Sequence, residues 1–152
     1  MKKKLLLPII IGLMAFLGGA VIVFLMMKHF KLSPEYYNTD GFHKIDSSEL
    51  ESLIDQKKSF ALFIYQPSCR TSDDFEKILA DFSQEYQVKF EKVAFSDMRK
   101  TDLVPGLQYY PSLALYRNGK LITFIKADSD EDLKIVTSKD SFTNWWKRYI
   151  KD

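Results

Sequence analysis

Polar and apolar positions along this chain fall into two regimes. From Leu5 to Met27 no residue is charged. As a helix rising about 1.5 Å per residue, this run would extend roughly 34 Å, enough for a bilayer core. It outlasts the apolar core of a secretory signal, about 7–15 residues. Gly18-Gly19-Ala20 resembles a cleavage site, but Val21 to Met27 continues the run beyond it. The pattern predicts an uncleaved anchor at 5–27, with a basic end at 1–4. Three lysines precede the run, and Lys28 and Lys31 follow it. The positive-inside rule then keeps the N-terminus cytoplasmic and places the rest of the chain outside. Residues 28–40 lack helical periodicity and read as a short tether.

From Gly41 the pattern alternates between strand-like and helix-like segments. Phe42–Ile45 reads as a short strand. Ser48 and Glu51 have capping-box spacing ahead of an apolar stripe of Leu50, Leu53 and Ile54. The near-continuous apolar run Ser59–Tyr65 suits a central strand covered on both faces. Phe75, Ile78, Leu79, Phe82 and Tyr86 then recur at helical spacing. Val88–Phe95 alternates as a further strand, and 97–104 is looser. Ser112–Tyr116 and Lys120–Ile125 flank Asn118-Gly119, the pair favoured in tight hairpins, and so predict antiparallel strands. Asp128–Asp132 reads as a solvated acidic loop, without the glycine and spacing of a calcium loop. Phe142, Trp145, Trp146, Tyr149 and Ile150 share the face of a closing helix. The two tryptophans are read as core, with a partner or membrane-surface contact as the alternative.

Composition narrows the function classes. The formal charge of +2 is owed to Lys2, Lys3 and Lys4; the remainder, near −1, gives no reason to expect nucleic acid as a partner. His29 and His43 are the only histidines, and Cys69 is the only cysteine. That excludes an internal disulfide and a multi-cysteine metal site, and no cofactor or metal is expected.

The candidate chemistry is Cys69 itself, in Pro67-Ser68-Cys69-Arg70-Thr71-Ser72 between the apolar strand and the long helix. A thiol at a helix start faces unpaired amides and the positive end of the dipole, which favour thiolate. Arg70 adds positive charge, while Asp73 and Asp74 oppose it. Ser72 stands three residues on, where a second thiol would complete a redox pair.

These motifs in this order resemble the thioredoxin family. Phe63 to Ser72 is similar to its strand-to-active-site segment, with Cys69 at the nucleophile position and Ser72 at the resolving one. Val104 to Leu113 resembles the segment carrying the family's cis-proline, and Asn118-Gly119-Lys120 its hairpin turn. The resemblance spans about 42–152 and implies an α/β domain, 41–152, with a mixed sheet flanked by helices. It also implies a cis Tyr110–Pro111 bond, with Tyr110, Pro111 and Arg70 forming a platform for protein or peptide substrates. The Tyr-x-Pro-Ser-Cys context of Tyr65 to Cys69 and the anchor look most like the bacteriocin transport accessory group of Gram-positive bacteria. Two departures stand out. The second cysteine is replaced by Ser72, and Ser59–Tyr65 carries no acid where the family keeps a buried carboxylate. A complete dithiol cycle is therefore not expected. Two functions follow: monothiol exchange with exported peptides or proteins, or a catalytically silent interaction module of an envelope or secretion complex.

Overall fold

The computed structural model describes residues 29–99 and 101–151. The five strands are β1 (Phe42–Lys44), β2 (Phe60–Tyr65), β3 (Phe90–Ala94), β4 (Ser112–Arg117) and β5 (Lys120–Phe124). They form one sheet in the order β1-β3-β2-β4-β5. β1 and β2 run parallel to β3, while β4 runs antiparallel to both β2 and β5. The helices are α1 (Ser47–Asp55), α2 (Arg70–Tyr86), the single-turn α3 (Phe95–Met98), α4 (Asp130–Thr137) and α5 (Lys139–Trp146). Among these residues no helix is long and apolar enough to cross a membrane. The expected span at 5–27 and basic end at 1–4 lie outside the described residues.

β2 forms where the sequence predicts it, and Phe60 to Ile64 are fully buried. Alternation divides its side chains between two cores. On one face Phe63 meets Phe75 edge-on at 5.8 Å, and Phe82 joins Phe90, Phe142 and Trp146 in an aromatic cluster under α2 and α5. This assigns both tryptophans to the core, 5 % and 3 % exposed. On the other face Phe60 stacks on Tyr116 at 4.6 Å. The β4–β5 turn has positive φ at both Asn118 and Gly119, as a two-residue hairpin of primed type requires. A Cβ on Gly119 would collide with the Ile54 carbonyl, so α1 and the turn pack at backbone distance.

Several boundaries differ from the sequence expectation. The capping box at α1 is Asp46 with Glu49, not Ser48 with Glu51. The Asp46 carboxylate accepts from the Glu49 amide and from the Ser48 hydroxyl and amide, which hold its pKa low. β3 ends at Ala94, because Phe95 turns into α3. The acidic run is not a free loop: Asp130, Glu131 and Asp132 form the first turn of α4, capped by Ser129, where carboxylates suit the helix dipole. Ser138 ends α4 and caps α5, so the closing segment is two helices.

The largest correction concerns the expected tether. Phe30, Leu32 and Tyr36 are buried, and Phe30 and Tyr37 form bridges to Ile150 and Val88. The Tyr36 hydroxyl donates to Glu91 at 2.8 Å, and burial together with that carboxylate pushes its pKa up. Residues 30–37 therefore belong to the folded unit. Glu91 is itself 3 % exposed. Its second oxygen lies 2.9 Å from Nδ1 of His43, an outward-facing histidine with a buried partner. Tyr36→Phe would leave the carboxylate short of a donor at a buried site, at a cost of about 1–3 kcal/mol. Urea unfolding should show a matching loss of stability, whereas an unchanged midpoint would mean that the Tyr36–Glu91 hydrogen bond adds nothing to the fold.

Candidate functional site

The site forms where β2 hands over to α2. After Tyr65 the chain turns through Gln66–Ser68, with Ser68 in the left-handed region at φ 60°. Cys69 then occupies the N-cap of α2. Its amide donates to the Gln66 carbonyl at 3.3 Å, and its own carbonyl accepts the first helical bond from Asp73 at 3.0 Å. The side chain is half-exposed. As a neutral thiol it caps no amide. The backbone amide of Ser72 favours the thiolate most and lowers the thiol pKa. Partial burial opposes that shift, and the Ser72 hydroxyl with the amide and hydroxyl of Thr71 reinforces it.

Ser72 is completely buried. Its hydroxyl oxygen accepts from the Gln66 amide at 3.1 Å and so ties the first turn of α2 to the end of β2. The O–H proton is left to serve the neighbouring sulfur. Ser72 thus has a positioning role that an inert replacement for a second thiol would not need. Arg70, by contrast, is turned outward: its side chain is 96 % exposed, with Nε 3.8 Å from Asp74 in the next turn. Lys77 shares the same carboxylate at 3.0 Å.

The Tyr110–Pro111 peptide bond is cis. Ser112, the next residue, pairs with Ile64, so register carries Tyr110 and Pro111 to the end of β2 that leads into the Cys69 turn. Pro111 is buried, whereas Tyr109 and Tyr110 expose 49 % and 40 % of their surface. The Tyr110 ring rests on Phe95 at 4.9 Å. Behind the bond, the Ser112 hydroxyl donates to the Ile125 carbonyl at 2.6 Å and fixes the start of β4. Cys69, Ser72, Tyr110 and Pro111 therefore share one end of the sheet, while Arg70 points to solvent there.

As expected, β2 carries no acid, but the adjacent strand does. Glu91 lies beside Leu62 in the β2–β3 register. It is the buried carboxylate that reading β2 alone could not find. Both its oxygens are engaged by Tyr36 and His43. Its position, three residues before the Ala94 end of β3, and its partners give it a fold-linking role.

No protein-family model matches this chain, and no curated protein matches its sequence. Solved structures do. Thioredoxin f2 of Chlamydomonas reinhardtii is similar at TM-score 0.55 and 17 % identity, over 70 % of this chain and 94 % of that one. Mitochondrial thioredoxin 3 of Saccharomyces cerevisiae, in its oxidized form, gives 0.53 and 18 %, over 70 % and 93 %. The thioredoxin NaTrxh of Nicotiana alata gives 0.53 and 17 %, over 72 % and 94 %. Together with the strand order and the site geometry, these similarities establish a thioredoxin-like fold for this chain.

Proposed function

We propose that this chain is a membrane-anchored, extracytoplasmic thioredoxin-like protein that uses Cys69 as a lone nucleophile on exported peptides or proteins. The observation that carries the reading is Cys69 at the N-cap of α2, half-exposed and with its thiolate favoured by the Ser72 amide. The Cys69 thiolate attacks one sulfur of a substrate disulfide. A Cys69–substrate S–S bond forms as the substrate S–S bond breaks, and the displaced sulfur leaves as a thiolate. Ser72 cannot resolve this adduct, so an external thiol must attack it and return Cys69 to the reduced state. Tyr110 and Pro111 border the path of an extended substrate, which the Tyr110 backbone can pair as an added strand. Arg70 offers an exposed positive charge at the rim, beside Asp74. In this reading the basic end at 1–4 stays cytoplasmic and residues 5–27 span the membrane. The role is that of a transport or folding accessory, as the resemblance to the bacteriocin transport accessory group implies.

A second reading, a silent interaction module in an envelope or secretion complex, is favoured by one observation. The Ser72 oxygen already ties the start of α2 to the Gln66 amide, so the turn is held together without any second thiol.

The two readings part in cells. Intact cells are blocked with a membrane-impermeant maleimide and their proteins separated without reduction. Mixed disulfides that contain this chain and vanish in Cys69→Ala are expected for exchange. A Cys69→Ala chain that supports the same phenotype as wild type, with no adducts in either, would establish the silent module. Ser72→Cys tests the site's geometry separately. Residues three apart at a helix start can bridge, so a mild oxidant should close a disulfide between Cys69 and the introduced thiol. The variant should then show measurable insulin reduction absent from wild type. Failure to close would show that Cys69 and Ser72 are not aligned as a dithiol pair.

A further inference from the structure

The described unit is electrically polar along its sheet. Strands β1, β2 and β3 run side by side toward the Cys69 end, and the loops beyond them collect exposed carboxylates. Asp46 caps α1, Asp73 lies in the first turn of α2, and Asp97 lies in α3. Asp128 and Asp130 follow β5. Lys44, Arg70, Arg99 and Lys126 are basic residues set among them, outnumbered once the exposed Asp74 and Asp102 are added.

At the opposite end the sign reverses. Lys57 abuts Gly119, where Lys120 begins β5, and Lys31 follows Phe30. The chain end is fastened there too: Lys151 donates its amide to the Phe30 carbonyl at 2.9 Å, and the Phe30 amide donates to the Tyr149 carbonyl at 2.8 Å. Lys147 reaches over the Tyr86 ring, at the far end of α2 from Cys69, and Arg148 follows it. Lys31, Lys57, Lys120, Lys147, Arg148 and Lys151 are all exposed, against Glu35, Asp40, Asp55 and Glu85 at this end, the last of them paired with Lys139. In the sequence, Phe30 at this pole is preceded by the uncharged run Leu5–Met27, with Lys28 and His29 between them.

Resting on the anchor reading of residues 5–27, we propose that this basic pole docks on anionic lipid headgroups and holds Cys69 at the far end of the domain. The uncharged run delivers this pole to the bilayer surface, and its charge complements phosphatidylglycerol-type headgroups within a Debye length. The acidic pole is repelled by the same surface. α2 alone separates Cys69 from the docked end by about 25 Å, at about 1.5 Å per residue. The thiol then faces outward, toward chains arriving from solution rather than chains lying on the membrane.

The only cysteine makes the test direct. Full-length protein carrying a donor dye on Cys69 is reconstituted into vesicles bearing a headgroup acceptor. Energy transfer should be lower in mixed phosphatidylcholine–phosphatidylglycerol vesicles than in phosphatidylcholine alone. It should rise to the neutral-lipid value in high salt and in Lys31→Glu/Lys120→Glu/Arg148→Glu. Equal transfer in the two lipids, or greater transfer in the anionic one, would overturn the proposal. Alkaline carbonate extraction reports separately on the anchor. If carbonate releases the chain, the anchor reading fails while docking is still decided by flotation. Flotation with phosphatidylglycerol vesicles, weakened at least roughly a hundredfold by the triple variant, supports the basic pole; no flotation refutes it.

Discussion

The structure depends on one strand being covered from every side. Phe60–Tyr65 is hydrogen-bonded to β3 along one edge and to β4 along the other, and from Phe60 to Ile64 nothing reaches solvent. Such a segment has only apolar faces to offer, and each large side chain buried there contributes roughly 1.5–3 kcal/mol. Parallel pairing with β3 obliges the chain to cross over through a helix, and that helix is α2. The turn from β2 into α2 is consequently anchored at both ends, which fixes where Cys69 begins the helix. Antiparallel pairing with β4 sets Ser112 against Ile64 and brings Tyr110–Pro111 to the same edge. The site is thus a by-product of how the central strand is buried.

Within that apolar frame, a few buried polar groups fix the boundaries. Ser83 accepts from the Gly41 amide and donates to the Val88 carbonyl, joining the entry to β1 with the end of α2. Ser112 holds the exit of β5 and Ser72 the start of α2. Tyr36 and Glu91 fasten the segment before β1 to β3. Among the described residues no buried side-chain nitrogen or oxygen lacks a partner, as a well-packed interior demands. Because its hydroxyl pKa is raised, Tyr36 remains a neutral donor to Glu91 under ordinary conditions.

What the sequence revealed tracks how local each signal is. β2 was legible because an apolar run of its length admits few alternatives, and the hairpin because Asn118-Gly119 suits positive φ. Cys69 and Ser72 were placed by the junction between those two kinds of pattern. The capping box slipped because Asp46–Glu49 and Ser48–Glu51 both fit the spacing; what separates them is the register that buries Leu50 under the sheet. The helix Asp130–Thr137 went unread because its first turn is the acidic run, which resembles a solvated loop. Glu91 sits between Phe90 and Lys92, where alternation suggests solvent, yet α1 covers that face. The segment Phe30–Tyr37 was opaque for a similar reason: its partners, Ser59, Glu91 and Ile150, are distant in sequence.

This fold lowers the pKa of the Cys69 thiol by offering its sulfur amides and hydroxyls from the first turn of α2. Titration of thiolate ultraviolet absorbance in the native chain, against the same chain unfolded in urea, measures it directly. A group whose folded pKa is depressed gains its charge earlier as pH rises. The native midpoint should therefore fall below the unfolded one, near about 8.5 for an ordinary cysteine, and Ser72→Ala should move it back up. Coincident native and unfolded midpoints, or a native midpoint above the unfolded one, would contradict the account and leave Cys69 an unprepared surface thiol.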